Sequence, residues 1–471
     1  MPPNHLSPAE MLSFHDTIVA PATPPGTSAI AVIRLSGGEA IAICQRLFRG
    51  KDLTRQPSHT VHYGSLRDGD ELLDEVLVSV FKAPTSFTKE NVVEISCHGS
   101  AFVVQKIIRS LLKHGARLAE PGEFTKRAFL NGQFDLAQAE AIADLIHSDS
   151  EATHRAALSQ MRGGFSKQIA NLRERLIDFA SLIELELDFG EEDVEFANRA
   201  DLKNLVLEIQ AVVASLMESF RLGNVLKNGV PTVIAGKPNA GKSTLLNALL
   251  NEPKAIVSEI PGTTRDFIED EIHIEGIRFR FIDTAGLRHT TDVVEAMGVA
   301  RTREKLKQAS LIIYLFDVNE TSPQELEDEL AEIRNLDIPY LLVGNKADKA
   351  AFPENKIVSF ENAKPVLASI LPISAATGLG MDELKQRLLQ KVRVDDYRPT
   401  DTLITSIRHY DSLRLTHESL GRVLDGMATG ITGDLMAMDI RQALHHLGEI
   451  TGTVTSDDLL ANIFSRFCIG K

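Results

Sequence analysis

A chain of 471 residues, 43% apolar and 24% charged, has room for two to four domains that each bury a core. Its formal net charge of −15 argues against a strongly basic nucleic-acid binder, though not against a local basic patch. Three scattered cysteines, Cys44, Cys97 and Cys468, exclude a disulfide framework and a paired-cysteine metal site. The opening MPPNHLSPAEMLSFHD lacks the basic start and apolar middle of a signal peptide, and no apolar run reaches membrane-span length. The expectation is a cytoplasmic protein with no membrane partner.

Residues 16–118 alternate two textures. SAIAVIRLS, HTVHYGSL, DEVLVSVFKA and NVVEISCHG are short, β-branched and bounded by Gly or Pro, as strands are. GGEAIAICQRLF and AFVVQKIIRSLLKHG have helical spacing, the second with Gly115 as its C-cap. This predicts an α+β domain over 1–131. From about Phe134 to Leu222 the strand signals vanish, and LAQAEAIADLIHS, SKQIANLRERLIDFASLIELELD and ADLKNLVLEIQAVVASLMESFRLG repeat apolar residues at helical steps. Residues 132–222 therefore read as helical, interrupted by the acidic DFGEEDVEF. Over 223–389, PTVIAG, RFRFIDT, SLIIYLFDV, IPYLLVGNK and ILPISA alternate with helices, the pattern of a doubly wound parallel sheet. Helical texture returns over 390–471. One helical domain built from both flanks, with an α/β domain inserted, is the expected multidomain arrangement; two separate helical caps are the alternative.

GKPNAGKS, Gly236 to Ser243, matches G-x-x-x-x-G-K-[ST] between a predicted strand and a predicted helix. Glycines let the backbone curl so that N–H groups of Asn239, Ala240, Gly241 and Thr244 face phosphate oxygens at a helix N-terminus. Lys242 offers a point charge to the β- and γ-phosphates, and the Ser243 hydroxyl is a Mg2+ ligand. DTAG, Asp283 to Gly286, follows in the right order: an aspartate for the magnesium shell and a glycine N–H for the γ-phosphate. NKAD supplies Asn345, Lys346 and Asp348, whose carboxylate accepts two hydrogen bonds from guanine and none of that kind from adenine. Ser374 and Ala375 then offer a backbone N–H to the guanine oxygen. Four motifs in order specify a P-loop domain that binds GTP.

Hydrolysis is less direct. Leu287 follows D-x-x-G where many GTPases carry a water-orienting glutamine, and an apolar side chain cannot orient water. Asn239, with carbonyls of VSEIPGTTRD, is placed to hold a monovalent cation, or else only braces the loop; Thr264 can close on Mg2+. Asp292 and Glu295 are candidates for positioning water, or form a solvated acidic helix start.

The loop GKPNAGKSTLLNAL with GTTRD and DTAGLR resembles the potassium-dependent translation-factor-class GTPases. Together with DTIVAPATPPGTSAIAVIRLSG, PGEFTKRAFLNGQFDLAQAEAIADLI and the terminal CIGK, the sequence resembles the MnmE (TrmE) family of tRNA modification GTPases over nearly its whole length. The resemblance implies a homodimer formed through the N-terminal domain. It also implies a partner flavoprotein of the MnmG type, using FAD and NADH, in a heterotetramer or larger complex. The implied reaction adds an aminomethyl or carboxymethylaminomethyl group to carbon 5 of the tRNA wobble uridine. A tetrahydrofolate derivative, of the 5-formyl or 5,10-methylene type, supplies the carbon. Matched by position, Asn239, Ser258, Ile260 and Thr263 would hold potassium, Ser243 and Thr264 Mg2+, and Glu295 the attacking water. Arg34, Glu94 and Lys471 match folate contacts; Gln133 stands where the family often has lysine, which removes a charge there.

The tail SRFCIGK ends in lysine and follows no polybasic stretch, so Cys468 is not a prenylation site. The resemblance places Cys468 near the folate and tRNA chemistry; a plain thiol on a frayed tail is the alternative. Two further readings share some of the motifs: a ribosome-assembly GTPase, and a folate-dependent transferase whose GTP domain only regulates.

Overall fold

The computed structural model describes residues 16–148, 150–188, 199–250, 270–282, 309–336, 338–349, 370–392, 403–429, 431, 433–465, 467 and 470. Along the chain, β1 (Thr17–Pro21), β2 (Ser28–Ser36), α1 (Ala40–Leu47), β3 (Phe48–Arg49), β4 (Thr60–Asp68), β5 (Glu71–Phe81), β6 (Val92–Gly99), α2 (Ala101–Lys113), β7 (Ala116–Leu118) and α3 (Glu123–Leu130) come first. Helices α4 (Leu136–Ile146), α5 (Glu151–Met161), α6 (Gly164–Asp188) and α7 (Arg199–Asn228) follow. Next come β8 (Val230–Ala235), α8 (Lys242–Leu250), β9 (Asp270–Ile274), β10 (Ile277–Phe281), β11 (Leu311–Asp317), α9 (Pro323–Arg334), β12 (Tyr340–Asn345), β13 (Leu371–Pro372) and α10 (Met381–Lys391). Helices α11 (Ile407–Thr429), α12 (Gly433–Thr451) and α13 (Asp457–Phe464) complete the described chain. It divides into two compact units, the described residues within Met1–Ile146, Gln160–Leu202 and Arg422–Lys471, and those within His147–Ser159 and Lys203–Gly421.

In the first unit seven strands form one sheet in the order β3-β4-β5-β6-β2-β1-β7, antiparallel except for β1 with β7. Alternation decides its faces. Ile33, Leu35, Val78, Val80 and Ile95 point to the side packed by α1 and α2. The other face leaves Ile30, Val61, Tyr63 and Leu77 exposed at 62%, 60%, 67% and 45%. At the far end of that open face α3 packs Phe124 against Ile18 and Ala20 of β1. Four of the strands and both helices expected over 16–118 are present; β1, β3 and β7 are additional. The α2 helix ends one residue earlier than expected, with His114 as cap and Gly115 beyond it at φ +106.

Helix α6 packs along α12, with Arg441 Nη2 2.7 Å from Glu184 Oε1 and Arg173 Nε donating to Leu444 O at 3.4 Å. Helix α13 buries Leu460 and Phe464 against Leu136 and Ala139 of α4. The second unit carries a six-stranded sheet in the order β13-β12-β11-β8-β10-β9. The five expected strands run parallel, and one further strand, β9, adds an antiparallel edge beside β10. A two-residue turn at Glu275 and Gly276, both at positive φ, makes that hairpin. Strand β11 is buried on both faces, Ile313 and Leu315 towards one core and Ile312, Tyr314 and Phe316 towards the other. That explains why LIIYLF shows no alternation. Helix α9 starts at a full capping box between Ser322 and Glu325 with Pro323 in its first turn.

Candidate active site

The loop 236–241 leaves the carboxyl end of β8, between β11 and β10, where an α/β sheet reverses its order and opens a crevice. Two glycines are required there. Gly236 lies at φ +140, and a Cβ on it would sit 1.9 Å from Leu315 O. Gly241 lies at φ +101, and its Cβ would sit 2.2 Å from Asn345 Nδ2. Asn239 also has positive φ, +61, a backbone that asparagine tolerates better than most residues, and its side chain is exposed. Lys242 folds back over the loop and donates from Nζ to Gly236 O at 2.7 Å and Lys237 O at 2.8 Å. Burial lowers its pKa, and its described acceptors are carbonyls rather than carboxylates. A half-buried ammonium over curled backbone is a site completed by an anion. Ser243 and Thr244 open α8 beside it.

Asn345 connects this loop to the next. Its Nδ2 donates to Ala240 O at 2.8 Å, and its Oδ1 accepts from Ala375 N–H at 3.0 Å. Asn345 is 3% exposed, so both bonds are shielded from water. Ser374 is fully buried in the turn that Gly378 closes on its carbonyl at 2.9 Å. Asp348 lies in the short 3-10 turn Ala347–Lys349 and is exposed. The structure thus brings Asn239, Ala240, Gly241, Lys242, Ser243, Thr244, Asn345, Lys346, Asp348, Ser374 and Ala375 to one end of the sheet. Ile282 pairs with Thr232 O at 3.0 Å and is the last described residue before Asp283. Asp283, Gly286 and Glu295 lie outside the described residues, as do Ser258, Ile260, Thr263 and Thr264.

A second cluster forms on the open face of the first unit. Arg34 of β2 and Glu94 of β6 stand opposite each other in register and pair, Nη2 to Oε1, at 2.7 Å. The guanidinium lies over the rings of Phe87 and Phe124, 5.4 and 5.8 Å from their centroids. Phe87 in turn meets Phe134 at 6.0 Å, next to the exposed Gln133. The tail reaches this end of the sheet: Gly470 lies so close to β1 that a Cβ on it would be 2.0 Å from Pro21 O. Cys468 and Lys471 lie outside the described residues.

Beneath the cluster lies an ion network that sequence reading missed. Arg127, 3% exposed, meets Asp16 at 2.5 Å, Glu123 at 3.0 Å and Glu90 at 3.3 Å. Arg117 binds Asp16 and Glu123 at 2.6 Å each. Burial raises the carboxyl pKa values of Asp16 and Glu123, but the two guanidiniums outweigh it and hold both below the usual range. The only local signal was the run EFTKR, whose Glu123 and Arg127 share one helix face. Burial pushes the thiol of Cys44 up to about 12 and that of Cys97 up to about 11, away from the reactive thiolate form.

A family model described as the MnmE helical domain matches residues 136–468, and one described as the GTP-binding protein TrmE N-terminus matches 17–133. The chain belongs to the MnmE family of tRNA modification GTPases. The tRNA modification GTPase MnmE of Cytophaga hutchinsonii is 60% identical over 466 residues, covering 99% of this chain and 100% of that one. The MnmE of Bacteroides fragilis is 49% identical over 467 residues, 97% of this chain and 99% of that one. Among solved structures, the G domain of the T. maritima FeoB iron transporter is 26% identical over 34% of this chain and 98% of its own, with a TM-score of 0.26. In MnmE terms, the N-terminal model spans Arg34, Phe87, Glu94 and Phe124, and the helical model spans α4, α13 and everything between them. Among the described residues, no helix is long and apolar enough to cross a membrane.

Proposed function

We propose that this protein is a potassium-dependent GTPase acting in tRNA modification. With a flavoprotein partner it adds an aminomethyl or carboxymethylaminomethyl group to carbon 5 of the wobble uridine, drawing the carbon from a folate. One observation carries the GTPase part: Asn345 ties the anion-seeking loop at Ala240 to the guanine-facing turn at Ala375. The full-length likeness to tRNA modification GTPases carries the rest.

Lys242 and the loop N–H groups would bind the β- and γ-phosphates, and Asp348 the guanine edge. Ser243 and Thr264, with Asp283, would hold Mg2+, which offsets phosphate charge. The exposed carboxamide of Asn239 suits a potassium ligand, with Ser258, Ile260 and Thr263 completing the shell. That ion supplies positive charge where other GTPases place an arginine. Glu295 would orient the water and Gly286 face the γ-phosphate. GTP turnover should be several-fold to tenfold faster, or more, in potassium than in sodium buffer at equal ionic strength; equal rates would remove the ion from the scheme.

In the folate reading, Arg34 and Glu94 pair with complementary groups of a planar, charged ligand whose ring would lie among Phe87, Phe124 and Phe134. Gln133 and Lys471 border that cluster in the proposed site. The open apolar sheet face with Ile30, Val61, Tyr63 and Leu77 would bury itself in a homodimer. With a net charge of −15, the flavoprotein would supply much of the contact to tRNA phosphates. The division into 1–131, 132–222 with 390–471, and 223–389 belongs to the same proposal.

The test is mass spectrometry of tRNA nucleosides from cells lacking the protein. Aminomethyl-type wobble uridines should disappear, return with the wild-type chain, and stay absent with Cys468→Ser, although that variant retains GTP turnover. Unchanged wobble nucleosides in the deletion strain would defeat the proposal and favour a ribosome-assembly role.

A further inference from the structure

The segment Asn345–Asp348 is held by a side chain from outside its own motif. Asp317 ends β11 directly opposite Asn345 of β12. It is 6% exposed. Its Oδ2 lies 2.8 Å from Lys346 Nζ, and its Oδ1 accepts the Asn319 N–H at 2.8 Å. Asn319 Nδ2 donates to Lys346 O at 3.1 Å, and Val318 N–H donates to Asn345 O at 3.2 Å. Burial raises the Asp317 pKa, but Lys346 and Asn319 outweigh it and keep the carboxylate ionised.

Lys346 is therefore fixed at both ends. Its backbone is at φ +62, which long side chains rarely adopt, with the carbonyl tied to Asn319 and the ammonium tied to Asp317. Between those anchors run four methylenes. A lysine whose charged head is satisfied presents its stem as apolar surface. Such a surface suits the face of a purine ring, and it does not distinguish the groups on the ring's edge. Edge reading falls to Asp348, which is exposed two residues on.

We propose that Asp317 is a positioning residue of the nucleotide site, holding Lys346 so that its stem forms the platform on which the purine lies. This rests on reading Asn345–Asp348 as the guanine-binding segment. It separates two contributions within one site: a stacking surface set by Asp317 through Lys346, and a base-edge selection set by Asp348.

The experiment uses the full-length protein, with GDP and inosine diphosphate affinities measured by calorimetry and GTP turnover measured alongside. Asp317→Asn should weaken both diphosphates by the same factor, about tenfold, as expected for loss of one charge-assisted contact. The loss should appear in KM for GTP and not in kcat. Asp317→Glu should recover most of the affinity. Lys346→Met keeps a straight stem, and combining it with Asp317→Asn should weaken binding no further than the weaker single variant. Affinity within about twofold of wild type in Asp317→Asn, a loss confined to GDP, or additive losses in the double variant would each overturn the proposal. Asp348→Asn separates the two readings. If it exchanges GDP for xanthosine diphosphate while Asp317→Asn binds normally, only the Asp317 role falls. If it makes no such exchange, the guanine segment is misassigned and the Asp317 role falls with it.

Discussion

Replacing Gly236 by alanine should weaken nucleotide binding at least about thirtyfold, and GTP turnover should fall with it. The added Cβ would lie 1.9 Å from Leu315 O, a backbone atom of the neighbouring strand, at φ +140. Neither partner can rotate away. Backbone strain and forced separation together cost roughly 2–6 kcal/mol. The chain would relieve this by moving the loop off β11, which spreads the N–H groups that face phosphate. Gly421→Ala is the matched control, since its Cβ would meet only Gln210 Nε2 at an ordinary 3.6 Å. Titration of both variants with GDP decides it: equal affinities would show that the loop tolerates the displacement.

Replacing Arg127 by leucine should destabilise the first unit by about 3–5 kcal/mol, the usual loss when one partner of a buried ion pair is removed. Asp16, Glu90 and Glu123 would be left facing one another with Arg117 alone to balance them. Amide hydrogen exchange in α3 is the direct readout, because Arg127 ties that helix to Asp16 beside β1 and to Glu90 in the segment before β6. The pH dependence has a definite sign. Asp16 and Glu123 have depressed folded-state pKa values, so their pairing contributes fully above the ordinary carboxylate range near about pH 4. It is lost as pH falls through the lower folded values. The gap between wild type and Arg127→Leu should therefore narrow on acidification below about pH 4. A gap that stays constant there would mean that Arg127 acts by packing alone.

The contrast between these two sites shows what could be read from sequence. The Gly236–Ser243 loop declares itself within eight residues, because its chemistry depends on local backbone freedom and a following helix. Arg127 meets Asp16 across 111 positions and Glu90 across 37, and no local pattern marks such a pairing. The same holds for Asn345: its place near guanine was legible, but its bonds to Ala240 and Ala375 span 105 and 30 positions. Short elements were lost for a different reason. Strand β1 has five residues and β7 three, too few to show a period, and β1 is held by pairing on both sides. Helix α3 was hidden because EFTKRAFL carries as many polar as apolar residues, with Glu123 and Arg127 turned into the ion network. The antiparallel edge β9 reads as a strand only once its hairpin with β10 is known.

The packing of α6 on α12 has a consequence for how the chain is made. A ribosome adds about 5–20 residues per second, so roughly 12–50 s pass between the emergence of Asp188 and that of Gly433. Throughout that interval the stripe of α6 that α12 will cover, beside Arg173 and Glu184, has no α12 to bury it. The sheet strands β8 to β13 are complete well before then and need nothing from the later helices to pair. Nascent chains should thus complete the GTP-binding strands before they close their helical seam, with a trigger for chaperone binding exposed in between.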